Sequence, residues 1–248
     1  MHPVMRIAWS SALVAAIALS AAACGPGGSG TSGASSLTGT PDQIVQKAVN
    51  NLKAATSLQI SGSVASSGST IKLDLTDATA GCKGTIELGV SASGSSTGSG
   101  LTGTADLIEV NRTVYMKLDQ SFFKNLSLPS SVFSAVTGKY IEVAAKSELA
   151  NFAQLCDPST LASGFNKEVT GFVKDGTATI NGQPAEAFKQ PSHAGSGIVY
   201  ISESSTPEIV RLQGPSSEGQ INFTNYNAPV TITAPSAGDV IDGSKFDL

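Results

Sequence analysis

Histidine and cysteine, the residue types on which many catalytic and metal sites depend, are scarce in this sequence. Its 248 residues include two histidines, His2 and His193, and three cysteines, Cys24, Cys82 and Cys156. A cysteine nucleophile with a histidine base, or a zinc site, needs several such groups in one place. His2 lies in an N-terminal targeting segment, so a single histidine remains for the folded part. We therefore predict no catalytic residue, no metal site, no cofactor and no enzymatic activity.

Motifs of the common enzyme classes are missing as well. No Gly-x-Ser-x-Gly elbow stands between a predicted strand and a predicted helix, as a serine hydrolase of that class requires. The glycine-rich runs do not follow a strand and end in Lys-Ser or Lys-Thr ahead of a helix, so they predict no phosphate site. A hydrolase that uses His193 and a serine remains an alternative, and unchanged activity in a His193→Ala variant would remove it.

Positive charge is not in excess. Lys and Arg together number 15, Asp and Glu number 19, and the formal net charge is −4 at pH 7. Nucleic-acid-binding domains carry clustered basic residues that neutralise phosphates. The sequence has no such cluster, so we predict that nucleic acid is not a partner.

The N-terminus has the layout of an export signal. A single positive charge at Arg6 precedes an apolar run over residues 7–19, and small residues follow as far as Cys24. The apolar run is shorter than the roughly 20 residues that a spanning helix needs. The ending Ala-Ala-Ala-Cys at 21–24 resembles a bacterial lipobox, which implies that residues 1–23 are removed and that Cys24 carries lipid, including palmitate-type acyl chains. The alternative is an ordinary secreted protein that is cleaved near Ala23.

Residues 25–40 consist almost wholly of Gly, Ser, Thr, Ala and Pro. A Gly/Ser-rich chain of this length behaves as a flexible tether with a span of roughly 20 to 25 Å. We therefore predict three parts: a signal peptide over 1–23, a lipidated cysteine with its tether over 24–40, and one folded domain over 41–248. The predicted location is the extracytoplasmic face of the cell membrane, held by the lipid anchor.

With Cys24 assigned to lipidation, Cys82 and Cys156 remain in an exported domain. Paired cysteines in an oxidising compartment predict a disulfide, which would stabilise the fold by up to roughly 4 kcal/mol in the chain-entropy model. Two buried free thiols are the alternative.

The folded part begins with a helix and continues in strands. Thr40, Pro41 and Gln43 form the pattern of an N-cap, a first-turn proline and a capping box. Apolar residues then alternate with polar ones in segments before and after a helical middle, the last of these segments lying near 230–234. Asn181-Gly182 predicts a tight hairpin turn. Strands grouped on both sides of a helical insert predict an α+β fold with a large antiparallel sheet.

Several stretches, in this order and spacing, resemble the LppX/LprAFG lipoproteins of actinobacteria. They are the lipobox with its tether, KAATS at 53–57, GTIEL at 84–88, NRTVYMKL at 111–118, DGTATINGQ at 175–183 and IVYISE at 198–203. The resemblance implies a curved antiparallel half-barrel like that of LolA and LolB, closed by helices over an apolar cavity. It also implies binding and transfer of lipids or lipoglycans in the cell envelope, with an envelope transporter as partner. The Cys82 and Cys156 pair and the long stretch 91–103 depart from the family pattern.

Candidate lipid-binding residues are apolar positions of the predicted sheet that face the helices, together with phenylalanines near the mouth. They are Leu73, Leu75, Ile86, Leu88, Val114, Met116, Phe122, Phe123 and Phe133. Apolar ligands enter such a cavity through buried area, at roughly 25 cal/mol per Å². The alternative is that the same residues form an ordinary filled core, in which case the protein is a structural or interaction lipoprotein that docks an envelope partner.

Overall fold

The computed structural model describes residues 37–66, 69–90, 102–125, 130–163, 169–192, 197–215 and 218–246. The predicted signal peptide, Cys24 and most of its tether lie outside the described residues, and so does His193. The predictions made for them stay predictions.

Within the described residues, twelve strands form one sheet. The strands are β1 Ser57–Ser66, β2 Ser69–Ala78, β3 Gly81–Val90, β4 Gly103–Val110, β5 Thr113–Leu118, β6 Tyr140–Glu142, β7 Val173–Ile180, β8 Gln183–Lys189, β9 Ile198–Ser202, β10 Ile209–Gln213, β11 Gly219–Thr224 and β12 Val240–Asp242. Their order is β12-β6-β5-β4-β3-β2-β1-β11-β10-β9-β8-β7. The terminal strands β12 and β7 do not pair, so the sheet is an open, curved half-barrel. The predicted α+β class is confirmed.

Two short strands modify the predicted antiparallel sheet. β12 pairs with β6 in parallel, through Val240 with Tyr140 and Asp242 with Glu142, so the sheet is mixed. The segment 230–234, predicted as a strand, is not in a strand, and β12 follows it instead. A three-residue strand shows too few alternations for the two-residue period to reveal it.

Four α-helices accompany the sheet in the described part of the chain. They are α1 Pro41–Ala54, α2 Gln120–Asn125, α3 Ser130–Val136 and α4 Pro158–Ser163, and a 3₁₀ helix spans Glu148–Cys156. The predicted capping box is present, because the Thr40 hydroxyl accepts from the Gln43 N–H while the Gln43 side chain accepts from the Thr40 N–H. The apolar face of α1 is buried, and the helix contacts α4 and the strands β7 and β10.

The ten longer strands share two ends. At one end, called the closed end here, tight turns join β4 to β5 and β7 to β8. Asn111, Arg112, Asn181 and Gly182 have positive φ angles of 53°, 66°, 51° and 80° at these turns, as type I′ hairpins require. The Asn181-Gly182 turn is therefore confirmed. At the opposite end, called the open end, β2, β4, β9 and β11 begin and β1, β3, β8 and β10 end.

The outer edge strand β7 is irregular. Its pairing with β8 shifts register between Lys174 and Thr177, which marks a bulge, and Gly176 within it has φ of +106°. Lys174 forms an ion pair with Glu186, and Lys189 forms one with Asp175. Bulges and charged side chains are the features by which natural proteins protect a free sheet edge.

Candidate functional site

The concave face of the sheet carries one apolar surface that the helices cover. Side chains alternate across a strand, so residues two apart on neighbouring strands share this face. Register places Ile60 beside Leu75 and Phe223, and Leu107 beside Met116. All five are at most 1 % exposed. The half-barrel therefore has a dense apolar interior toward its closed end.

All nine residues predicted to bind lipid belong to this one apolar cluster. Leu75, Ile86, Met116 and Phe122 have no exposed surface, and Val114 and Phe123 are also buried. Leu73, Leu88 and Phe133 are half-buried and pack against the others. The structure thus brings the nine together, but it divides them into packed residues and residues that keep contact with solvent.

A side chain without accessible surface has no neighbouring space large enough for a water molecule. At Leu75, Ile86, Met116 and Phe122, the protein's own side chains fill the space that a bound acyl chain would need. At these four positions the structure has the filled core that was the alternative to a cavity.

The open end differs from this packed interior. Six described apolar residues of the concave face keep exposed surface and lie toward that end: Val64, Ile71, Leu73, Leu88, Leu212 and Ile221. Pairing joins Val64 to Ile71, Ile71 to Leu88, and Leu212 to Ile221, so they form adjoining rows. We call these six residues the rim. Four of the rim residues were not among the residues predicted to bind lipid. Alternation along a strand shows which face of the sheet a residue lies on, but it does not show how well the helices cover that residue.

Short helices cover part of the concave face beside the rim. The Asp119 carboxylate accepts from the N–H of Thr104 at 2.9 Å and from the N–H of Phe122 at 2.8 Å, which fastens the start of α2 to β4. The Phe122 ring meets Phe152 of the 3₁₀ helix edge-on, with ring centres 6.4 Å apart. Phe123 and Phe133 make a similar contact at 5.5 Å, which joins α2 to α3.

A disulfide links the 3₁₀ helix to the sheet. Cys82 of β3 is bonded to Cys156, and their Cα atoms are 5.3 Å apart, within the usual range for a disulfide. The predicted pairing is thus present. A carboxylate oxygen of Glu109 lies within 4.8 Å of both sulfurs. Because the sulfurs are bonded to each other, they are not available as thiolate ligands for a metal ion.

A buried carboxyl group stands beside this disulfide. Asp77 pairs with Cys82 across β2 and β3 and is 1 % exposed, and its Oδ2 has no hydrogen-bond partner among the described residues. The pKa of Asp77 is raised to about 7; burial is the main cause, a backbone hydrogen bond from Ala78 opposes it, and the charges of Asp157 and Glu109 add to it. Burial, followed by the charge of Asp157, also raises the pKa of Glu109.

Two surface pockets lie at the closed end. One has a volume of about 320 Å³ and lies beside the Asn181-Gly182 turn, Glu208 and Tyr226. The other, of about 260 Å³, lies beside Thr56, Ala80 and residues 227–230. None of the nine predicted residues lines either pocket.

The fold is similar to that of solved lipoprotein structures. LprF from Mycobacterium bovis superposes with a TM-score of 0.51 at 16 % identity, over 79 % of this chain and 99 % of LprF. The Mycobacterium tuberculosis lipoprotein LppX gives a TM-score of 0.44 at 14 % identity, over 77 % of this chain and 97 % of LppX. No protein-family model and no curated protein matches the sequence. The chain therefore has the LprF fold, in agreement with the half-barrel that the sequence resemblance implied.

Among the described helices, none combines the length and the apolar character needed to cross a bilayer.

Proposed function

Starting from the LprF fold, we propose that this protein is an envelope lipoprotein that binds a lipid or glycolipid on the concave face of its half-barrel. The observation that supports this function best is the rim, where an otherwise buried apolar face keeps exposed surface at one end. Exposed apolar surface that is contiguous and edged by polar groups is typical of a binding site. Transfer of the bound lipid, with an envelope transporter as partner, is part of the same proposal.

An acyl chain would first lie along the rim. Leu88 lies opposite Ile71 on the neighbouring strand β3, Leu73 follows Ile71 by two residues on β2, and Phe133 of α3 is half-buried against the same cluster. Each methylene that leaves water for such a surface stabilises the complex by about 0.8 kcal/mol, and no fixed charge is needed. A headgroup would remain outside, at the polar edge of the open end.

Deeper binding requires the helical cover to move. Leu75, Ile86, Met116 and Phe122 have no accessible surface, so an acyl chain reaches them only if α2 and α3 shift from the sheet. The Phe122–Phe152 and Phe123–Phe133 contacts would then separate. In this proposal the rim is the entry and the packed residues become the inner wall of the loaded form.

Lipidation of Cys24 completes the proposal. Its support is the lipobox-like ending at 21–24 and the uncharged stretch after it. A multi-chain anchor of this kind holds a protein stably on a bilayer.

Lipid uptake by the purified full chain tests the function. Native mass spectrometry before and after addition of palmitate, with cis-parinaric acid as a fluorescent competitor, reports loading. In a Leu73→Gln/Leu88→Gln variant, loading should fall at least tenfold, because two polar amides replace apolar wall. Lys72→Gln, one residue from Leu73 on the opposite, exposed face of β2, is the matched control and should load normally. Unchanged loading in the Leu73/Leu88 variant, or no loading of the unaltered chain, would overturn the proposal.

A second candidate function is a structural lipoprotein that docks an envelope partner. The observation that favours it is the filled interior at Leu75, Ile86, Met116 and Phe122. Absence of bound lipid in the protein as purified, together with no uptake, is the result that this candidate predicts.

A further inference from the structure

Helix α1 runs from the open end of the half-barrel to the closed end. Near its start, the Asp42 carboxylate accepts from the N–H groups of Gly171 and Phe172, at 3.1 and 2.8 Å. These two residues lead directly into Val173, the first residue of β7, which pairs with Lys189 at the open end. Near the other end of α1, the Asn51 amide donates to the Pro207 carbonyl at 2.7 Å, in the connection between β9 and β10 at the closed end.

The chain consequently enters the folded domain at the open end. Leu37, three residues before the Thr40 cap, is only 8 % exposed and belongs to the apolar core, which fixes the point of entry. Twelve residues separate Leu37 from Cys24. A Gly/Ser-rich chain of that length has an r.m.s. span of roughly 20 Å. The ten-residue strands β1 to β3 are about 33 Å long, so the closed end lies correspondingly farther from Cys24.

The exposed large apolar residues of the described chain also lie at the open end. They are Val64 at 36 % and Val173 at 40 % exposure. Five strand spacings separate β1 from β7, so the two valines are roughly 24 Å apart across the sheet. Cations beside Val173 are paired, Lys174 with Glu186 and Lys189 with Asp175. The open end therefore presents two exposed apolar side chains on well-separated strands, and the lysines beside Val173 are paired with carboxylates.

We propose that the open end docks on the surface of the bilayer that holds Cys24, with Val64 and Val173 entering the interfacial region. This inference rests on the proposed function, because it assigns the membrane to the same end as the rim. A lipid would then pass between bilayer and concave face without crossing water. The partner is the bilayer itself, recognised through apolar contact and not through anionic headgroups.

Tryptophan fluorescence tests this orientation directly. Trp9 is the single tryptophan of the chain and lies in the predicted signal peptide, so the lipidated protein that begins at Cys24 has no tryptophan of its own. Val64→Trp and Val173→Trp place one reporter each at the open end, and Ala80→Trp places an exposed reporter in the β2–β3 turn at the closed end. The lipidated protein is reconstituted in phosphatidylcholine vesicles with or without dibrominated acyl chains, whose bromines quench nearby indoles.

Docking predicts that Val64→Trp and Val173→Trp both lose more than half of their emission in brominated vesicles, while Ala80→Trp is nearly unaffected. Quenching at Val64→Trp alone signals one lipid bound at the rim without docking, because the two sites lie too far apart for one acyl chain to quench both. Quenching at Val64→Trp alone overturns the proposed orientation. Equal quenching at all three sites overturns it too, and so does the absence of quenching at every site.

Palmitate loading is measured on the same samples. Loading without quenching at Val173→Trp leaves the proposed function intact, whereas quenching at both open-end sites without loading overturns the function alone.

Discussion

The two ends of this half-barrel are built from the same alternating strands, yet they differ in how their apolar side chains are covered. Toward the closed end, Ile60, Leu75 and Met116 have no accessible surface, tight turns join the strands, and a disulfide fastens the 3₁₀ helix to the sheet. At the open end, Val64 and the rest of the rim remain in contact with solvent. The apolar surface of the concave face that a ligand could reach therefore lies toward the open end.

The buried carboxyl of Asp77 is the sharpest test of the closed end. Its pKa of about 7 in the folded state lies above the ordinary value of 3.8, so the folded protein keeps a proton that the unfolded chain releases. The resulting stability is fully present below about pH 3.8 and is lost as the pH rises to about 7. The loss amounts to an order of magnitude of 4 kcal/mol.

An Asp77→Asn variant removes this dependence. Its unfolding free energy, measured by urea titration, should match that of the unaltered protein near pH 4 and exceed it increasingly toward pH 7. Parallel curves for the two proteins across this interval would contradict the assignment.

The disulfide is the next largest contribution at the closed end. Cys82 and Cys156 are 74 residues apart, and a Cys82→Ser/Cys156→Ser variant should lose about 2 to 4 kcal/mol of stability. Differential scanning calorimetry of the two proteins measures the loss. Because the rim is remote from this bond along the strands, palmitate loading at low temperature should persist. A variant that keeps its stability would show that packing alone holds the 3₁₀ helix in place.

Ile86 and Leu88 lie on the same strand, and Ile86 is packed whereas Leu88 is accessible. Substitutions at the two positions therefore compare the interior with the open end. Ile86→Trp places a larger side chain where no space exists, and it should destabilise the fold by about 1 to 3 kcal/mol. Leu88→Trp, two residues on toward the open end, has room to turn outward. Its expected cost is below about 0.5 kcal/mol, as for an ordinary surface change. Equal losses in thermal unfolding would mean that the open end is as tightly packed as the interior.

The smallest expected effect concerns the ion pair on the convex face. Lys72 and Glu87 lie 2.8 Å apart, and both side chains are about half exposed. Lys72→Gln should change stability by less than about 1 kcal/mol, because solvent screens such pairs. A larger change in the unfolding free energy, measured by urea titration, would mean that the convex face also contributes to the difference in stability between the two ends.

Much of the fold was predictable from local patterns. The capping box at Thr40 and Gln43 and the Asn181-Gly182 turn depend on neighbouring residues alone, and both are present. The Cys82–Cys156 bond followed from the number of cysteines in a chain predicted to be exported. By contrast, β6 and β12 are too short to show a period, and their parallel pairing depends on tertiary contact.

The candidate site was predictable only in part. Alternation correctly placed Ile86 and Leu88 on one face, but it assigns both residues the same role. Which of them is covered depends on where the short helices α2 and α3 and the 3₁₀ helix pack, and those positions are set by contacts such as Asp119 with Thr104 and Phe122. Such contacts join residues through the fold, and no local period reports them.

The bulge in β7 has a consequence for how these molecules coexist. A straight free strand at the edge of a sheet would invite neighbouring copies to join their sheets into a polymer. The irregular register between Lys174 and Thr177 interrupts the ladder of hydrogen-bonding groups that such joining requires. On the membrane surface proposed above, many copies would therefore remain separate molecules.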